Sequence, residues 1–97
     1  MATYVVLGSY TDQGIRNIKE SPKRLDAGRD LAKSMGAQLK DFHLTFGAYD
    51  FITTLEAPSD EVASRYVLAL ASRGNVRTTT VKTFSESEYR SIIGKLP

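Results

Sequence analysis

Apolar and polar residues alternate along several short segments of the chain, which is the period of a β-strand with one buried face. In the clearest segment, Phe42, Leu44 and Phe46 alternate with polar residues. A second segment rich in β-branched residues begins at Phe51. The four residues between the two, 47–50 (Gly-Ala-Tyr-Asp), predict a hairpin loop, because glycine takes a positive φ easily and aspartate bonds nearby amides. The two strands, 37–46 and 50–57, are therefore expected to be antiparallel neighbours.

Two further strands are predicted, one near each end of the chain. In residues 3–10, Val5 and Leu7 point to one face while Tyr4 and Val6 point to the other, so neither face is polar. This pattern is typical of a central strand that is covered on both sides. The last strand, which is rich in threonine and mixed in polarity, is predicted over residues 75–84.

Apolar residues recur at helical spacing between the strands and after the last one, which predicts helices there. The predicted N-caps, one of which is followed by a proline in the first turn, are Thr11, Ser21, Ser59 and Ser85. Gly36 and Gly74 are predicted helix ends. The residues predicted to face inward are Leu25, Gly28, Ala32 and Met35 in the first long helix and Val62, Tyr66, Leu70 and Ala71 in the second. The last helix contains Tyr89, Ile92 and Ile93.

The predicted order is β-α-β-β-α-β followed by a C-terminal helix, within a single domain that spans residues 1–97. This order is the ferredoxin-like α+β pattern, with a four-stranded antiparallel sheet whose first and third strands are central. Right-handed crossovers place both long helices on one face of the sheet. The other face then exposes apolar residues of the central strands, and such patches usually mark an interface. We therefore expect a homodimer, or a higher homo-oligomer, that forms through the open sheet face.

Composition narrows the range of functions. Hydrophobic residues make up 41% and charged residues 25% of the chain, as in an ordinary globular domain. The net charge of +2 is small, and the basic residues are interleaved with acidic ones along the chain. This pattern argues against a nucleic acid or a membrane as a partner. With no cysteine and one histidine, the chain is expected to hold no metal, and we expect no cofactor. No signal-peptide pattern or long apolar run is present, so a cytoplasmic location is expected.

The candidate catalytic residues are few. His43 is the only side chain that titrates near neutral pH without perturbation, which makes it the first candidate for a general base. Tyr49 and Asp50 are the next candidates, since a half-buried carboxyl group can act as a base. Each of these candidates has a simpler interpretation. His43 is a solvated or cross-strand-bonded side chain of an edge strand, and residues 47–50 serve only to form the turn.

The candidate ligand-binding residues are Tyr10, Arg24, Tyr49 and Arg77. Arg24 and Arg77 are suited to an anionic group, because a guanidinium fork matches a carboxylate. The simpler interpretation places Arg24 on a solvated helix face and Arg77 in a structural ion pair. Tyr10 is most simply an aromatic residue of the core or of an interface, with its hydroxyl at the edge.

Several short motifs, in the same order and at similar spacing, give the chain a resemblance to the GYD domain family over nearly its whole length. These motifs are Thr11-x-x-Gly14, Pro22-x-Arg24, Gly47-Ala48-Tyr49-Asp50-Phe51, Glu56-x-Pro58 and Gly74-x-Val76-Arg77-Thr78. The resemblance implies the dimeric α+β barrel fold, in which two ferredoxin-like units close their sheets against each other. The wider superfamily includes cofactor-free monooxygenases, haem-degrading enzymes, chlorite dismutase-like proteins, muconolactone isomerase-like enzymes and stress-responsive proteins, so the fold does not determine the activity.

Three functions remain open from the sequence. The first is an oligomeric module that holds a small apolar or aromatic ligand between sheet and helices. The second is a cofactor-independent enzyme, similar to a monooxygenase or an isomerase, in which His43, Tyr49 or Asp50 moves a proton. The third is a structural or stress-associated assembly protein without a ligand. An apolar pocket with a few convergent polar groups would favour the first two.

Overall fold

The architecture of the chain, taken from a computed structural model that describes residues 1–97, is a four-stranded sheet with its two long helices on one face. The strands are β1 (Ala2–Tyr10), β2 (Gln38–Leu44), β3 (Phe51–Ala57) and β4 (Val76–Thr83). The helices are α1 (Asp12–Arg16), α2 (Ser21–Ser34), α3 (Asp60–Ser72) and α4 (Glu86–Gly94), with a 3-10 turn at Ile18–Glu20. The sheet is antiparallel in the order β2-β3-β1-β4, which confirms the ferredoxin-like fold and the predicted central strands.

The core lies between the helix-covered face of the sheet and helices α2 and α3. Tyr4 and Val6 of β1 and Leu55 of β3 are buried there. The opposite face of β1, which was predicted to be covered as well, has no helix over it within one chain. The helices contribute Ala32 and Tyr66, both completely buried. The inward stripes predicted for α2 and α3 therefore face the sheet, and burial of these apolar groups drives the packing.

A buried hydrogen bond joins the two long helices. Tyr66 of α3 donates it from its hydroxyl to the carbonyl oxygen of Gly28 in α2, at 2.8 Å. The bond satisfies a buried polar group that would otherwise destabilise the core.

Three of the four predicted N-caps are confirmed. The hydroxyl groups of Thr11, Ser59 and Ser85 each accept a hydrogen bond from a backbone amide in the first turn of the following helix. Ser21 is not a cap, because the 3-10 turn runs directly into α2 and Ser21 is already helical, with φ −55° and ψ −42°. Its hydroxyl oxygen instead lies 3.3 Å from that of Tyr10.

The hairpin differs from its prediction at the loop end. Strand β2 has a bulge between Leu39 and Phe42 and ends at Leu44. Phe46, predicted to lie on the buried face of the strand, is fully exposed in the loop. Gly47 does not use a positive φ, which only Gly36 and Gly74 adopt, both directly after helices. The predicted end of the strand is wrong because two hydrogen bonds close the loop before the alternation ends. The amide of Thr45 donates to the carbonyl oxygen of Asp50, and the hydroxyl of Thr45 donates to that of Tyr49.

The other face of the sheet and the last helix remain uncovered within one chain. The open face presents Val5 and Leu7 of β1, Ile52 of β3 and Val81 of β4, and Val81 is 45% exposed. Every residue of α4 is exposed. None of the helices is long and apolar enough to cross a membrane. No cluster of three or more histidine, aspartate or glutamate side chains is placed to hold a metal ion.

Candidate functional site

A cavity of about 210 Å³ lies between the sheet and helices α2 and α3. We call it the helix-side cavity. One wall is aromatic: the rings of Phe42 and Phe51 stack with centroids 5.3 Å apart, and the ring of Tyr10 lies 5.6 Å from that of Phe51. The other apolar residues that line it are Val6, Leu25, Ala27, Leu39, Tyr66, Leu70 and Val76.

The aromatic wall depends on a glycine in the neighbouring strand. Gly8 of β1 pairs with Phe51 of β3, and the ring of Phe51 lies across the space that a side chain at position 8 would fill. A Cβ on Gly8 would lie 2.0 Å from the ring, well inside van der Waals contact. Gly8 therefore determines where the ring of Phe51 lies, and with it the shape of the cavity.

The mouth of the cavity carries positive charge. Arg24 of α2 and Arg73, directly after α3, both line it, and no aspartate or glutamate does. Arg24 is held in place by two backbone carbonyls, donating from Nη1 to Asn17 at 2.8 Å and from Nη2 to Gly14 at 3.3 Å. Each arginine thus adds a cation to a mouth that has no acid to neutralise it.

The frame of the mouth is built from hydrogen bonds that Thr11 donates to backbone carbonyls at the start of β4. The Thr11 amide donates to the carbonyl oxygen of Asn75 at 3.1 Å, and the Thr11 hydroxyl donates to that of Gly74 at 2.6 Å. Gly14 packs against the same strand entrance, where a Cβ would lie 2.1 Å from the Asn75 carbonyl oxygen. Residues of the motifs that carry the family resemblance thus fix the end of β1 to the start of β4.

Of the candidate residues from the sequence, Tyr10 and Arg24 line the helix-side cavity. Asp50 does not, and its contacts are with the end of β1. Its carboxylate accepts a hydrogen bond from the Tyr10 amide at 2.9 Å, and its own amide donates to the Gly8 carbonyl at 2.8 Å. The aspartate of the Gly-x-Tyr-Asp motif thus joins the hairpin loop to the strand that carries Tyr10.

The remaining candidates lie away from the cavity. Tyr49 is exposed in the hairpin loop. His43 is exposed in β2 and pairs with Ile52, while Arg77 is exposed in β4 and pairs with Ser9, so both belong to the open sheet face. The structure does not bring these three together with Tyr10 and Arg24, and a role for them in a site stays a prediction.

Arg73 and Tyr66 were not among the candidate ligand-binding residues, although both line the cavity. Burial raises the pKa of Tyr66 to about 12, and the positive charges of Arg73 and Arg29 act in the opposite direction. A signal for Arg73 was present in the sequence: with Tyr66 and Leu70 it follows the spacing i, i+4, i+7 of one helix face. Its position beside Gly74 made it resemble a solvated cation at a helix end.

A second pocket, of about 190 Å³, lies between α3 and β4 and is lined by Tyr4, Asp60, Thr80 and Lys82 among others. We call it the β4 pocket. The Tyr4 hydroxyl donates to the Asp60 carboxylate, and Lys82 Nζ lies 3.1 Å from Asp60 Oδ1. The bond to Asp60 raises the pKa of Tyr4 to about 12, and the bonds from Tyr4 and Lys82 lower the pKa of Asp60. Thr80 contributes a buried hydroxyl without a hydrogen-bond partner.

Comparison with known proteins identifies both sequence relatives and structural neighbours. The profile of the GYD domain matches residues 4–93. A protein from Thermus thermophilus, named glutamine synthetase and cystathionine beta-lyase binding protein, is 32% identical over 83 residues. That alignment covers 84% of this chain and 87% of the relative.

Two solved structures share the fold. The feast or famine regulatory protein from M. tuberculosis, complexed with L-methionine, aligns with a TM-score of 0.68 at 13% identity over 88% of this chain and 51% of that one. MtbAldR aligns with a TM-score of 0.67 at 17% identity over 88% of this chain and 54% of that one. The chain spans about half the length of both proteins, and at these identities the likeness concerns the fold alone.

Proposed function

This chain belongs to the GYD domain family, and we propose that it is a binding module whose helix-side cavity holds a small apolar or aromatic ligand. The observation that carries the proposal is the cavity itself. It is apolar inside, has an aromatic wall formed by Tyr10, Phe42 and Phe51, and has a few polar groups at its mouth. Small-molecule sites in proteins have this character.

The size of the cavity supports a ligand of one aromatic ring with a short substituent. A cavity of roughly 150 Å³ lined by aliphatic and aromatic side chains binds benzene. The helix-side cavity, at about 210 Å³, is larger than that by the volume of a few more atoms. An apolar ligand in this space would make dispersion contacts with the walls of the cavity.

The test is to fill the cavity without changing the rest of the molecule. We expect toluene to shift the amide NMR signals of residues around the cavity in the wild type. Leu70→Phe, on the cavity wall, is expected to weaken toluene binding by about tenfold or more, because the added ring occupies the space. The matched control is Leu68→Phe on the outer side of the same helix, where Leu68 is 68% exposed. Absence of toluene binding in the wild type, or equal binding in all three proteins, would contradict the proposal.

The enzyme alternative has less support. No histidine or carboxylate lines the helix-side cavity, so it has no general base of the usual kind. The hydroxyl of Tyr66, with its pKa raised to about 12, stays protonated at neutral pH and can only donate or accept a hydrogen bond. Catalysis by His43, Tyr49 or Asp50 stays a hypothesis that requires a different site.

We propose further that the module is a homodimer formed through the open sheet face. Val5, Leu7, Ile52 and Val81 provide the apolar surface for this contact. Val81→Asp would place a charge in the interface and is expected to give a monomer in light scattering at micromolar concentration, while Leu68→Asp on the outer side of α3 stays dimeric. A monomeric wild type would exclude this assembly.

A second candidate function is that the chain docks on a metabolic enzyme. We propose a cytoplasmic location together with this function. The specific observation is the relative at 32% identity, whose name describes binding to glutamine synthetase and cystathionine beta-lyase. Helix α4 offers a surface for such a partner, since Tyr89, Ile92 and Ile93 are all about half exposed on it. We expect the chain to bind purified glutamine synthetase of its host in sedimentation experiments, and removal of residues 86–97 to abolish the binding. No complex with either enzyme would rule this candidate out.

A further inference from the structure

We infer that the ligand of the helix-side cavity is an anion, a small aromatic carboxylate, and that Arg73 is the residue that selects it. This inference rests on the proposed binding function and adds the chemical class of the ligand. It assigns to Arg73 a role as a specificity residue at the mouth of the cavity.

The first argument is the unbalanced charge of the site. Two guanidinium groups, those of Arg24 and Arg73, line the cavity, and no carboxylate does. Neither Arg73 nor Arg24 forms an ion pair with an aspartate or glutamate of the chain. A mouth with two cations and no counter-charge attracts anions and discriminates against cations.

The second argument is that Arg24 is already oriented. Its bonds to the carbonyl oxygens of Asn17 and Gly14 use two of the five N–H donors of the guanidinium group. The remaining donors are held in a fixed plane, and binding therefore costs little side-chain entropy. A pre-organised guanidinium is suited to a planar, bidentate anion such as a carboxylate.

The third argument is the contrast between interior and mouth. The walls formed by Phe42, Phe51 and Leu70 would desolvate any group placed between them, and an unpaired charge there would be expensive. A carboxylate at the mouth remains beside Arg24 and Arg73 while its ring enters the apolar part. Ser21 and Asn75, also at the mouth, add a hydroxyl and an amide.

The fourth argument is size. The volume of about 210 Å³ exceeds that of a benzene-sized cavity, roughly 150 Å³, by enough for a carboxylate or a carboxymethyl group. Benzoate and phenylacetate therefore fit the site. The probe used for the test is phenylacetate.

The experiment compares phenylacetate with phenylacetamide, its neutral analogue of nearly the same shape, by NMR titration of the intact protein. We expect the wild type to bind the acid about tenfold more tightly than the amide, as a charge-assisted bond at a partly solvated site allows. Arg73→Gln is expected to remove most of this preference, by weakening binding of the acid more than binding of the amide, and Arg24 accounts for what remains. Arg73→Lys keeps the charge but loses the fork, and we expect part of the preference to remain.

The matched control is Arg65→Gln, the same change on the outer side of α3, where Arg65 only forms an exposed ion pair with Glu61. We expect it to keep the full preference for the acid. Equal affinities for acid and amide in the wild type, or an unchanged preference in Arg73→Gln, would overturn the inference and leave the proposed cavity intact. If neither compound nor toluene binds to the wild type, the proposed function falls, and the inference falls with it.

Discussion

The helix-side cavity and the β4 pocket have similar volumes, about 210 and 190 Å³, but opposite chemistry. In the helix-side cavity, Arg24 and Arg73 face no acid. In the β4 pocket, the Asp60 carboxylate is already paired with Lys82 and with the hydroxyl of Tyr4. A cavity of sufficient volume is therefore not by itself a binding site. A ligand gains most where charge is left unpaired beside an apolar surface.

The two sites also differ in how they are built. Hydrogen bonds to the backbone carbonyls of Asn75, Gly74 and Gly14 frame the mouth of the helix-side cavity. The polar groups of the β4 pocket are held by side chains alone, Tyr4, Asp60 and Lys82. We therefore expect substitutions at the frame of the first site to affect the whole fold, and substitutions in the second to have local effects.

The largest expected effect is that of Gly14→Ala. The new methyl group would lie 2.1 Å from the carbonyl oxygen of Asn75, so α1 or the start of β4 must move. We expect the free energy of unfolding to fall by about 3 kcal/mol or more in denaturant titrations. Gly47→Ala is the control: position 47 has open space around it and no positive φ, so it should change stability by less than about 0.5 kcal/mol. Equal effects at both positions would show that the frame is not rigid.

Asp50→Ala is expected to have the next largest effect. It removes the acceptor of the Tyr10 amide, and a lost bond to a charged group costs about 2 kcal/mol. Because Tyr10 lies on the aromatic wall, toluene binding should weaken as well. Asp41→Ala, an exposed acid in the same hairpin, serves as the control. If Asp50→Ala unfolds at the same denaturant concentration as the wild type, the motif aspartate does not join loop and strand.

A smaller effect is expected in the β4 pocket, as a change in acid sensitivity. The pKa of Asp60 is lowered from 3.8 in the folded protein, chiefly by the bond from Tyr4 and then by that from Lys82. Asp60 therefore stabilises the fold above its unfolded pKa, and this contribution is lost as the pH falls through the folded pKa.

The measurement is the free energy of unfolding of the wild type, Asp60→Asn and Tyr4→Phe between about pH 6 and pH 2. The advantage of the wild type over Asp60→Asn should shrink as the solution becomes more acidic, and Tyr4→Phe should show a reduced acid dependence. Parallel curves for all three proteins would contradict the pairing.

The smallest effect is expected for a substitution in the β4 pocket, which should leave the affinity for phenylacetate nearly unchanged. Lys82→Gln removes a cation that Asp60 already neutralises, so it should change phenylacetate affinity by less than about twofold. Arg73→Gln removes the same formal charge from the helix-side cavity and is expected to weaken binding about tenfold. A similar loss in both variants would mean that the overall charge of the protein, rather than the unpaired charge of the first cavity, determines affinity.

Much of the fold follows from the sequence because local signals agree with one another. The central position of β1 in the sheet and the caps at Thr11, Ser59 and Ser85 were confirmed. The hairpin prediction failed where contacts across the loop override the alternation of the strand. Phe46 continues the alternation of β2, yet the bonds of Thr45 to the far side of the loop end the strand two residues earlier.

The helix-side cavity was less predictable than the fold, for a related reason. Arg24 and Tyr10 were recognised as candidates, but the sequence does not reveal that they line one space with Arg73. The shape of that space depends on Gly8, whose missing side chain admits the ring of Phe51 from the neighbouring strand. Such a contact depends on strand pairing and register, which the local pattern did not specify.

The central claim is that a small aromatic anion binds in the helix-side cavity with its carboxylate at the mouth. The most direct test is a crystal structure of the protein grown with 4-bromobenzoate, with the bromine located by anomalous scattering. We predict one bromine site per chain among Phe42, Phe51 and Leu70, with the carboxylate beside Arg24 and Arg73. Bromine only in the β4 pocket or on the open sheet face, or no bound bromine at all, would contradict the account.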